Sequence, residues 1–221
     1  MIDCQGLQWG APGRPLTPPL DLHLAAGSLT GIIGLNGCGK SSLLKVIAGL
    51  QAPLAGLVRV DAPRQGGIGF LQQQQAFDRQ FPINLRELVG TGLWHSTGNH
   101  RQRQERLDQA LRRWQLCALQ RLPLEALSGG QLQRALLARL DLTDAAVLLL
   151  DEPEAALDEA AQALFWERAK QWQADGRTLL VVSHAVGHLS SRLDNALLIS
   201  PQGCILAPIA QLAGKRLERA A

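Results

Sequence analysis

An α/β fold with a parallel sheet is predicted by three stretches that read as strands buried on both faces. The first, "LTGIIG" at Leu29–Gly34, enters a glycine-rich turn and then "KSSLLKVIAGL", where Leu43, Leu44 and Ile47 keep helical spacing before Gly49. The second, "AVLLLDEP" at residues 146–153, is a continuous apolar run that ends in two acids and a proline. After it, "DEAAQALFWERAKQWQADG" reads as a helix capped by Asp158 and stopped at Gly176. The third is "TLLVVSH". Apolar runs without alternation belong to strands covered on both faces, as helices cover a parallel sheet.

A helical section interrupts this pattern between about residues 74 and 127. Residues 100–122 are charged and glutamine-rich, with Leu107, Leu111 and Trp114 at i, i+4 and i+7, so the spacing predicts one long amphipathic helix packing within its own lobe. With 221 residues, 46% of them hydrophobic, the chain supports one core with an inserted lobe and excludes a disordered class. Its net charge of +3 suits an anionic ligand without demanding one. Cys4, Cys38, Cys117 and Cys204 lack both metal-site spacing and disulfide-scaffold density, which favours a reducing compartment. No apolar run approaches the roughly 20 residues of a membrane span, and "MIDCQGLQWGAPGR" holds no signal core. A cytoplasmic protein is expected.

The turn after the first buried strand is "GLNGCGKS", which satisfies GxxxxGK[ST] between a strand and a helix. Gly34, Gly37 and Gly39 let successive backbone N–H groups, with those of Asn36 and Cys38, curl around phosphate oxygens at the positive end of the helix. Lys40 is expected to reach the β and γ phosphates, and the Ser41 hydroxyl to ligate Mg²⁺. Asp151 and Glu152 close the second strand at its carboxyl end, where such sheets bind ligands. Asp151 is assigned to Mg²⁺ and Glu152 to the attacking water as general base.

A second nest lies in "LSGGQLQRALLARL", where Ser128, Gly129 and Gly130 precede a helix. Two phosphate-binding elements in one chain are economical if each serves a different nucleotide. A head-to-tail pair of copies does this, with the nest of one copy closing on the ATP held by the other.

These motifs resemble, over nearly the whole chain, the ATP-binding subunits of ABC transporters. The P-loop "GLNGCGKSS", signature "LSGGQ", Walker B "VLLLDEP", D-loop "EAALD" and switch histidine in "VVSHA" appear in the family's order. The resemblance implies a RecA-like P-loop core with an N-terminal antiparallel β subdomain, covering about residues 1–73 and 128–221, and a helical subdomain at about 74–127. It adds Ser42 and Gln131 to the nucleotide contacts, places Asp158 at the dimer seam and gives His184 the γ-phosphate.

The family's strand before the helical lobe ends in a pattern like Y-V-P-Q, whose glutamine approaches Mg²⁺ and the attacking water. Aligning "IGFLQQQQ" on it gives that role to Gln73, with Gln72 as the alternative because the anchoring proline is missing, and leaves Gln74 and Gln75 as solvated loop residues. Trp9 stands where the family has an aromatic stacking on adenine, in a chain without tyrosine. Glu154 and Ala155 depart from the small hydroxyl residues of the D-loop, and Ala185 from the frequent aspartate after the histidine.

The implied function is ATP hydrolysis with Mg²⁺ as an ATP-dependent homodimer, driving a separate membrane permease from the inner face of the cell membrane. A substrate-binding protein is expected in the assembled system, and nucleic acid is not. "DRQFPINLRELVGTGLW" resembles a segment of subunits serving zinc, manganese and iron-chelate importers, which points to import of a transition metal or metal chelate. The alternatives are another substrate, an exporter, or a soluble ABC ATPase that transports nothing. The last class typically carries coiled coils, zinc insertions or tandem ATPase units.

Overall fold

The predicted alternation is realised in the computed structural model, which describes residues 1–63, 66–73, 79, 81–183 and 192–212. The chain opens with β1 (Ile2–Gln8), a small hairpin of β2 (Gly10–Ala11) and β3 (Arg14–Pro15), then β4 (Leu20–Leu24). There follow β5 (Leu29–Gly34), α1 (Lys40–Ile47), β6 (Ala55–Val60) and β7 (Ile68–Leu71). Three helices, α2 (Leu85–Gly90), α3 (His100–Arg113) and α4 (Gly129–Asp141), precede β8 (Val147–Asp151). The chain continues through α5 (Glu159–Ala174), β9 (Thr178–Val182), β10 (Asn195–Ser200) and β11 (Gly203–Pro208).

Among the described residues the main sheet has six strands in the order β11-β10-β5-β9-β8-β7. All neighbours are parallel except β11, which returns antiparallel on β10. Every residue of β5, β8 and β9 is buried, as their continuous apolar runs require. Ile32 of β5 and Asp151 of β8 both register with Val182 of β9. The carboxyl ends of the three central strands therefore open on one place.

A second, antiparallel sheet of order β4-β1-β6 presents Ile2, Cys4, Leu7, Leu20, Leu22 and Leu24 to Leu43, Leu44 and Ile47 of α1. Alternation of buried and exposed residues along β1 and β4 marks a sheet with one covered face. α1 lies between the two sheets, so the loop that leads into it is supported from both sides.

The helical section packs through Leu88, Val89, Leu107, Leu111, Trp114 and Leu136. The expected stripe of α3 is buried, but the helix is shorter than the predicted span of 100–122. Gln115 takes φ 56°, a left-handed conformation that ends the helix at its cap Trp114, and two short 3₁₀ turns, Cys117–Leu119 and Leu124–Ala126, follow. Nothing in the 100–122 composition signalled this stop, because glutamine is a good helix former.

Asp141, at the end of α4, ties the helical section to the core. Its buried carboxylate accepts hydrogen bonds from Trp172 Nε1 (2.6 Å) and Trp114 Nε1 (3.3 Å), and pairs with Arg113 (2.9 Å) and Arg168 (3.4 Å). Burial pushes its pKa up, but the Trp172 hydrogen bond and the Arg168 and Arg113 charges prevail, leaving it below the ordinary 3.8. A depressed folded pKa contributes stability that is present above 3.8 and lost as pH falls through the folded value. Asp141→Ala should cost about 3–5 kcal/mol, since it leaves buried donors and cations without their anion. Urea unfolding at neutral pH and below about pH 4 should show the parent losing more stability in acid than Asp141→Asn.

Candidate active site

The loop between β5 and α1 is shaped by glycine. Gly37 has φ 80° and Gly39 φ 94°, both in the left-handed region. A Cβ on Gly39 would stand 2.4 Å from Leu16 Cδ1 and 2.6 Å from Trp9 Nε1, so the loop also rests directly on the N-terminal strands. Lys40 Nζ donates to the carbonyls of Gly34 (2.7 Å) and Leu35 (3.0 Å), which uses two of its three N–H groups and holds the ammonium at the loop's mouth.

An open cleft of about 540 Å³ lies on this loop, lined by Leu16, Asn36, Gly37, Gly39, Lys40, Ser41, Ser42, Gln73 and Glu152. Asp151 stands behind Ser41, whose hydroxyl hydrogen-bonds its carboxylate, as does the backbone of Gln73. Burial raises the Asp151 pKa above the usual carboxylate range, the Ser41 bond works against that, and the Glu152 charge adds to it. Its Oδ1 is buried and has no hydrogen-bond partner among the described residues. An orphaned carboxylate oxygen beside a serine hydroxyl fits a hard divalent cation such as Mg²⁺. Gln73 Nε2 donates to Glu152 Oε2 at 2.7 Å, and Glu152 itself has φ 49°, a strained conformation for a non-glycine residue that turns its side chain out of the strand end.

Of the four glutamines, the structure brings Gln73 into the cleft. Gln72 is not among the residues lining it, and Gln74 and Gln75 lie outside the described residues. His184 and Ala185 also lie outside them. Cys38 turns away from the phosphate cleft and lines a second, more apolar cleft of about 640 Å³ together with Leu16, Ile199, Pro201 and Ile205.

Ser128, Gly129, Gly130, Gln131 and Asp158 do not line the phosphate cleft of their own chain. Ser128 and Gln131 form a reciprocal cap on α4: Gln131 N–H donates to Ser128 Oγ (3.2 Å), and Ser128 N–H to Gln131 Oε1 (2.9 Å). Gly129 has open space around it, whereas a Cβ on Gly130 would meet the Ala156 carbonyl at 2.8 Å. Asp158 caps α5 by accepting from Ala161 N–H at 2.8 Å.

The structure corrects the expectation for Trp9. Its indole is fully buried and Nε1 donates to the Gly39 carbonyl at 2.9 Å, so no ring face is open for adenine. An indole with an apolar body and one donor suits a core position below a loop carbonyl, and pairing of β1 with both β4 and β6 carries Trp9 inward. Leu16, which the sequence reading passed over, lines the cleft instead. Its only signal was an apolar residue following a turn of glycine, arginine and proline.

Residues 18–155 match the ABC transporter family. The manganese transport system ATP-binding protein MntB of Listeria innocua is 31% identical over 219 residues, covering 95% of this chain and 91% of that protein. The aliphatic sulfonates import ATP-binding protein SsuB 2 of Pseudomonas fluorescens is 36% identical over 192 residues, 84% of this chain and 68% of that one. A solved structure of a metal-chelate type ABC transporter in an inward-facing conformation superposes with TM-score 0.82 at 25% identity, covering 98% of this chain and 86% of the other. A six-stranded sheet that delivers a P-loop, Asp151 and Glu152 to one place, a capped LSGGQ helix, and this likeness along the chain's length agree: the chain belongs to the ABC transporter family as an ATP-binding subunit.

Proposed function

We propose that the chain hydrolyses ATP with Mg²⁺ as a head-to-tail homodimer and drives a separate permease that imports a transition metal or metal chelate. The observation that carries the hydrolytic reading is the grouping at the cleft: the unpartnered Asp151 Oδ1 beside Ser41, and the Gln73–Glu152 hydrogen bond next to Lys40. Asp151 and Ser41 would hold Mg²⁺, with Gln73 at its edge. The ion supplies charge neutralisation on the β and γ phosphates when bound with the nucleotide.

The chain's own groups do the rest. Backbone N–H groups from Gly34 to Ser42 cradle the phosphates, and Lys40 offers its remaining N–H to the terminal ones. Glu152, oriented by Gln73, takes a proton from the attacking water, and Leu16 offers an aliphatic contact to the adenine of the nucleotide. Ser128, Gly129, Gly130 and Gln131 are not among the residues lining their own cleft, which supports their service to a second copy's nucleotide; the same reading gives Asp158 to the seam between copies and His184 to the γ-phosphate.

No helix among the described residues is long and apolar enough to cross a membrane. We place the chain at the inner face of the membrane on that permease, with a substrate-binding protein in the assembled system. The metal reading rests on the manganese relative and the metal-chelate neighbour, and the sulfonate relative names the competing cargo. Purification of a tagged chain from gently solubilised membranes should bring down a polytopic permease, and stimulation of ATPase by Mn²⁺ or Zn²⁺ rather than a sulfonate should identify the cargo. A ribosome or DNA in its place would sink the transport reading.

A further inference from the structure

The turn after Glu152 carries an acid that the hydrolytic site does not use. Glu154 is buried, yet its carboxylate is satisfied by two donors on different elements: Trp166 Nε1 of α5 donates to Oε2 at 2.7 Å, and Ser183 Oγ, at the end of β9, donates to Oε1. A single hydroxyl at this position would not span two such donors, whereas the two oxygens of a carboxylate do. The Arg192 guanidinium lies over the Trp166 ring, 5.4 Å from a ring centroid. Ser183 immediately precedes residues 184–191 and Arg192 immediately follows them. Both flanks of that segment thus meet at one Trp166–Glu154 pair.

The same turn is fixed from other sides. Gln133 of α4 donates to the Pro153 carbonyl at 2.9 Å, Gln162 of α5 to the Leu157 carbonyl at 3.1 Å, and Gly130 permits the close approach of Ala156. A change in position of the turn is therefore felt by the LSGGQ helix and by the end of β9 together.

Resting on the hydrolytic reading above, we infer that Glu154 is a positioning residue: its carboxylate clasps the turn at the copy-to-copy seam to Ser183, and so sets the strand end that leads directly into His184. It does not line the phosphate cleft, and acts by holding the strand end in register with Glu152, whose backbone N–H donates to Val182 O at 3.1 Å. Misplacement of a reacting group by an ångström costs on the order of 100-fold in rate, while binding of the triphosphate by the P-loop does not depend on the clasp.

The test is a double-mutant cycle in the full chain, with ATP hydrolysis and calorimetric ATP binding measured on each variant. Glu154→Ala and Ser183→Ala should each lower kcat about 10- to 100-fold with Kd for ATP held within about twofold, and the double variant should fall no further than the worse single. Glu154→Gln should stay within about threefold of the parent, because its amide oxygen accepts from Trp166 and its amide nitrogen donates to the Ser183 hydroxyl. Ser183→Ala removes one oxygen and keeps the test alive if Glu154→Ala does not fold. Hydrogen exchange provides a readout independent of hydrolysis: amides at 155–157 and 192–194 should lose protection together in Glu154→Ala. Multiplying rate losses, a Gln variant as slow as the Ala one, ATP binding lost in step with kcat, or unchanged exchange would each overturn the clasp. A parent rate that ignores Lys40→Ala, with the exchange response intact, would instead overturn the hydrolytic reading alone.

Discussion

Glu152→Gln should lower ATP hydrolysis by about 10²- to 10⁴-fold, the usual effect of removing a general base, while leaving nucleotide binding in place. The amide keeps the side chain's shape and remains an acceptor for Gln73 Nε2, so the 2.7 Å contact can persist, but it cannot take the water's proton. Lys40, Ser41 and the LSGGQ cap are untouched, and on the proposed head-to-tail arrangement unhydrolysed ATP should go on bridging two copies. The variant should therefore elute as a dimer with Mg-ATP and as a monomer with ADP or without nucleotide. Ser128→Arg added to it should abolish the dimer, because the open space at Gly129 is where the partner's phosphate would arrive. Size-exclusion chromatography coupled to light scattering reads both results. A dimer that ignores Ser128→Arg would contradict the head-to-tail arrangement.

Lys40→Ala should reduce hydrolysis below about 1% of the parent and weaken ATP binding by about 100-fold, which corresponds to roughly 2.7 kcal/mol. The ammonium is buried and clamped by the Gly34 and Leu35 carbonyls, so its removal takes away a fixed positive charge whose orientation is already set. It also leaves two loop carbonyls without a donor at a cost of about 1–3 kcal/mol if they stay dry, so the melting temperature should fall modestly while unfolding remains cooperative. Isothermal titration with ATP and a thermal melt separate these effects. Undiminished turnover in this variant would remove the loop from the mechanism.

What the sequence made legible was chemistry carried by neighbours along the chain. The P-loop, the paired acids after an apolar run and the serine-glycine cap are each complete within a few residues, and the sheet order then has only to bring their ends together. Gln73 was assigned through the resemblance alone, with Gln72 left open, and what the structure adds is that Gln73 lines the cleft and reaches Glu152. The residues that escaped are those whose role is decided by burial across the fold. Asp141 and Glu154 look like surface acids in a charged sequence, and only the meeting of α3, α4, α5 and β9 makes them buried anions with indole donors. Trp9 failed in the opposite sense: the resemblance gave it to adenine, and only the folded chain shows the indole sealed beneath the loop carbonyl of Gly39.

Trp9 and Leu16 press the antiparallel sheet against Gly39, and the carbonyl there is already hydrogen-bonded at 2.9 Å. A phosphate-binding loop braced in this way is ordered before its ligand arrives. Little of the free energy of nucleotide binding is then lost to freezing the backbone, and a larger share appears as affinity. The bracing also runs in reverse: any displacement of the loop by an incoming triphosphate must move the fully buried indole hydrogen-bonded to Gly39, so occupancy of the cleft is registered in the packing around Trp9.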